Sequence, residues 1–73
     1  MENLFVTHLA VNGQSTEFAV RFEEETYIFQ PAGAGIAEIR IKREGETWVA
    51  EGPEGELSKM AIAKLEAFLL AQH

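Results

Sequence analysis

Over residues 1–52 apolar and polar side chains alternate with a period of two, and near the end the spacing changes to the three-and-four step of a helix. The chain therefore predicts strands first and one helix last. Val11-Asn12-Gly13-Gln14 is the strongest local signal, because Asn-Gly supplies the two positive φ angles of a type I′ hairpin turn. With Asn12 and Gly13 as the loop, Val11 faces Gln14, Leu9 faces Thr16, Thr7 faces Phe18 and Phe5 faces Val20 on one side of the sheet. On the other side Ala10 meets Ser15, His8 meets Glu17, Val6 meets Ala19 and Leu4 meets Arg21.

Glu23-Glu24-Glu25-Thr26 reads as the next connection, since three adjacent carboxylates repel each other least in water. Phe22 then opposes Tyr27 and Val20 opposes Phe29. Pro31-Ala32-Gly33-Ala34-Gly35 predicts a wider turn, proline removing a ladder donor and glycine permitting unusual dihedrals. Glu44-Gly45 reads as another tight turn, which sets Ile41 against Trp48 and Ile39 against Ala50, with Glu38, Arg40 and Lys42 facing outward. These turns agree on one buried face. The expected fold is α+β: a five-stranded antiparallel β-meander with one C-terminal α-helix packed across one face, in a single small domain over 1–73.

The helix is expected from Ser58, as N-cap, to about Ala71, with Leu57 and Ile62 as the two halves of a hydrophobic staple. Its apolar residues fall on two stripes. Ala61, Ile62, Leu65, Phe68 and Leu69 form the one that a helix lying on a sheet requires. Met60, Ala63, Ala67 and Leu70 form a second on the far side, where small alanines would let another chain approach closely. The outer sheet face presents a second candidate surface, Leu4, Val6, Ala19 and Ile28. These eight residues are the candidate partner-binding set, because monomers rarely expose large connected apolar patches.

Composition narrows the field. Seventy-three residues with 47% hydrophobic content make one domain with little apolar surface to spare. Cysteine is absent, which removes disulfides, thiolate metal sites and a thiol nucleophile. Twelve acidic against six basic residues give a net charge of -6, which disfavours nucleic acid and anionic membranes as partners. The start of the chain has no basic region of a secretory signal, and no apolar run approaches the roughly 18 to 20 residues of a membrane span, so a cytoplasmic location is expected.

Chemical machinery is sparse. Two histidines, two serines and no cysteine leave no evident nucleophile with a base and an orienting group, so no enzyme, cofactor or metal site is expected. His8 beside Glu17 reads as a surface ion pair, the Arg40, Lys42 and Arg43 cluster as a solvated strand face, and Gly33 to Glu38 as a plain turn that leads into a strand. The expected function is a non-catalytic protein-interaction module that self-associates or binds another protein. The alternative is a carrier holding an apolar ligand between sheet and helix, lined by Phe18, Phe22, Phe29, Trp48, Leu65 and Phe68.

Overall fold

Three of the four strand connections are two-residue turns with left-handed backbone. The computed structural model describes residues 3–33, 35–51 and 55–72. Strands β1 (Phe5–Val11), β2 (Gln14–Glu23), β3 (Thr26–Pro31), β4 (Ile39–Glu44) and β5 (Thr47–Glu51) precede helix α1 (Glu56–Ala71). The strands form one curled antiparallel sheet in the order β1-β2-β3-β4-β5, so the fold is α+β, as the alternation predicts. Asn12 and Gly13 have φ of 52° and 79°, the I′ geometry expected of them, and the β1–β2 register from Val11↔Gln14 to Phe5↔Val20 follows. Leu4 lies just before the strand, its N–H donating to the Val20 carbonyl at 2.7 Å.

Glu24 and Glu25 form the β2–β3 turn with φ of 52° and 61°, giving Phe22↔Tyr27 and Val20↔Phe29. Side chains with a Cβ sit here in the region that suits Asn and Gly. The strands on either side hold them there, because a slip of one residue would turn Phe18, Val20 and Phe29 out of the core.

The β4–β5 register differs from the expectation. Gly45 and Glu46 are the loop, and only Gly45 has positive φ, at 65°, as a II′ turn demands of its first central residue. Ile41 therefore pairs with Ala50 and Arg43 with Trp48, two residues away from the expected partners. Because the shift is two, every side chain keeps its face.

The helix begins earlier than Ser58. Gly55 occupies the N-cap with φ of 82°, no side chain caps the first turn, and the Lys59 N–H reaches the Gly55 carbonyl at 3.2 Å. Ser58 is buried inside the first turn. The extra residues are helical because Leu57 and Ser58 fall one turn before Ala61 and Ile62 on the same stripe, so winding them up buries Leu57 against the core. Glu56 in that turn also suits the positive end of the helix dipole. Pro53, Glu54 and His73, which flank the expected helix in the sequence, lie outside the described residues.

Leu9, Phe18, Val20, Phe29, Ile39 and Ile41 from the sheet meet Ala61 and Leu65 from the helix in one buried cluster. Phe68 stacks on Phe5, with ring centroids 4.2 Å apart, which fastens the end of the helix over β1. The expected inner stripe of the helix is the one that faces the sheet.

Replacing Glu24 by Asn together with Glu25 by Gly should relieve the left-handed strain and raise unfolding stability by about 1–2 kcal/mol in a denaturant titration. A loss of stability would contradict the I′ assignment.

Candidate interaction surfaces

The predicted partner-binding residues separate into two surfaces. On the helix, Ala63, Ala67 and Leu70 face solvent, and Leu70 is 76% exposed. Met60 is half-buried and packs against the core, so the outer stripe is narrower than its spacing implies. On the outer sheet face Val6 is 53% and Leu4 43% exposed. Ala19, directly across from Val6, is half-buried.

Ile28 is a correction. It is only 2% exposed, although it points away from the helix. The register sets Arg21 on one side of it and Arg40 on the other, and the aliphatic stems of two arginines cover a branched side chain well. Sequence alternation marks Ile28 as outward but is blind to long neighbours lying over it.

The charges around Ile28 are internally matched. Arg21 donates to the Gln30 side-chain oxygen at 3.2 Å and approaches Glu23 at 3.5 Å, Arg40 donates to Glu38 at 2.9 Å, and Lys42 lies 3.8 Å from Glu44. The hydrogen bond and charge of Glu38 raise the Arg40 guanidinium above its ordinary pKa, with Glu51 and Glu23 adding to the effect. Thr26, Arg40, Lys42, Val49 and Glu51 border a small depression here. With a carboxylate beside each cation, it offers no net positive field to an anion.

Arg43 is separate from Arg40 and Lys42, on the helix side of the sheet. Its guanidinium lies 5.0 Å from the centre of the Trp48 ring, and the indole N–H donates to Glu66 on α1 at 3.2 Å. Trp48 is therefore half-buried and tethers β5 to the helix, where the expected register put it opposite Ile41 in the core. Reading Gly45 as the first residue of a II′ turn is the signal that would have located it. An open groove bordered by Arg43, Trp48, Glu66, Leu69 and Leu70 continues the exposed end of the helix. Phe22, 46% exposed, rests on Tyr27 at 4.6 Å and Tyr27 lies 6.0 Å from Trp48, an aromatic row along one end of the sheet.

Three of the six residues expected to wall an apolar carrier belong to the core. Phe18, Phe29 and Leu65, named as its walls, are fully buried within the core cluster. His8 and Glu17 pair across β1 and β2 as expected, 3.9 Å apart and more than half exposed. Among the described residues no group of three or more His, Asp or Glu is placed to hold a metal, and no helix is long and apolar enough to cross a membrane. No protein-family model, curated protein or solved structure matches this chain.

Ile28→Ala should cost about 2–4 kcal/mol, the range for deleting a packed isoleucine, whereas Leu70→Ala should stay within about 0.5 kcal/mol. Equal effects in thermal or chemical unfolding would refute this placement of the two residues.

Proposed function

We propose that the chain is a small non-catalytic protein-interaction module that associates with itself. The observation carrying this reading is that Leu4 and Val6 remain exposed in a chain this short, on the sheet face that the core does not use. A domain of this size has few apolar side chains beyond those that its core requires, so neighbouring ones left in water favour a protein surface as their destination. The surrounding chemistry agrees. The threonine hydroxyls of residues 16, 26 and 47 bond to nearby backbone carbonyls, and His8 with Glu17 lies open to solvent.

Partners with a phosphate backbone or an anionic surface fit poorly with a net charge of -6 and with cations already matched by carboxylates. The membrane-free, intracellular setting expected from the sequence belongs to the same proposal. A second protein chain is the partner class that remains.

The test is mass by light scattering of the wild type over a dilution series. Self-association predicts a rise from monomer toward dimer with concentration in the wild type. A monomer at every concentration would reject it.

A further inference from the structure

We infer that the partner is a second copy of this chain whose β1 strand pairs antiparallel with β1 about a two-fold axis at His8. This rests on the self-association proposed above and gives it a surface.

The sheet has two edges, β1 and β5. Edge strands present unpaired backbone groups, and proteins guard them with charges, proline or shortness. β5 is short, with five residues, and Glu46 and Glu51 bracket it, so two copies joined there would bring their carboxylates into one seam. β1 has seven residues, Phe-Val-Thr-His-Leu-Ala-Val, with no Lys, Arg, Asp, Glu or Pro. In a molecule of net charge -6, it is the edge that can meet itself without opposing carboxylates.

The register says which groups are free. The Ala32 N–H donates to the Glu17 carbonyl at 3.0 Å, so the backbone of Glu17 turns toward β3 and that of its neighbour Phe18 toward β1. Thr7, opposite Phe18, then bonds to β2, and the N–H and C=O groups of Val6, His8 and Ala10 point away from the sheet. Antiparallel pairing centred on His8 sets each His8 against its counterpart and each Val6 against the other copy's Ala10, closing about six backbone hydrogen bonds. On the outer face, which α1 leaves open, the seam carries the row Glu17, His8, His8, Glu17. Each imidazole keeps its own carboxylate at 3.9 Å, and the carboxylates stand at the two ends.

Closure follows from the geometry. A two-fold axis uses both β1 edges and leaves outward only the β5 edges with their carboxylates, so the assembly stops at two, whereas β1 pairing with β5 of another copy would propagate as a filament.

Sedimentation equilibrium of the full chain tests the seam. A dimer is expected whose dissociation constant rises at least tenfold in Val6→Lys and is unchanged in Leu70→Lys, with thermal melts reporting that both variants fold. A second arm does not depend on Val6. The chain contains no cysteine, so His8→Cys introduces its sole thiol. A short bismaleimide should join most His8→Cys chains into covalent dimers and leave Leu70→Cys chains single. If wild type is monomeric throughout, self-association and the seam fall together. A dimer that ignores Val6→Lys, or is captured through Leu70→Cys and not through His8→Cys, overturns the seam alone and moves the interface to the helix.

Discussion

One face of one sheet must be covered by one helix, and everything else in this protein answers to that constraint. Phe18, Val20, Phe29, Ile39 and Ile41 are fully buried on the sheet, and Ala61 with Leu65 supplies the opposing layer. A chain of 73 residues without disulfides has no other source of comparable stabilisation, since each large apolar side chain withdrawn from water contributes about 1.5–3 kcal/mol. The core tolerates unfavourable local geometry where registry demands it. Glu24 and Glu25 in left-handed backbone are the clearest case, because the alternative is a slipped strand with phenylalanines in solvent.

The same constraint makes the outer surface asymmetric. At the β4 end the cations and carboxylates are matched pairwise, Ile28 is flanked by arginines on both neighbouring strands, and Trp48 ties β5 to the helix through Glu66. At the β1 end the strand carries a single titratable side chain, and Val6 within it and Leu4 just before it lie open. Association through β1 would bring apolar and backbone groups together while keeping the acidic parts of two copies apart. In such an assembly the net charge of -6 would favour the edge that can meet its like without opposing carboxylates.

The fold was largely legible in the chain because turn chemistry and binary pattern agree. Asn12-Gly13 set the β1–β2 register to the residue, and the acidic run before Thr26 set the next. The β4–β5 register was displaced by two because Glu44-Gly45-Glu46 accommodates two tight turns that differ in where the glycine sits. Both keep the apolar face inward, so alternation could not choose between them. The helix start was misplaced for a related reason: Ser58 is a good cap by composition, but burying Leu57 wins a further turn, and only the sheet beneath provides that reward. Of the candidate surfaces, Leu70 and Val6 were legible from spacing. Ile28 was not, since its burial depends on which residues the neighbouring strands set beside it.

Composition and periodicity by themselves determined the α+β class, the strand count, the buried face and the helical stripe that covers it, because these depend on local spacing and on turn residues adjacent in the chain. Tertiary structure decided how much of each outward residue stays in water, which side of β4 holds each cation, and that β1 and β5 are the open edges. Those properties depend on neighbours brought together from distant parts of the chain, and no pattern along the sequence encodes which long side chain comes to lie over which short one.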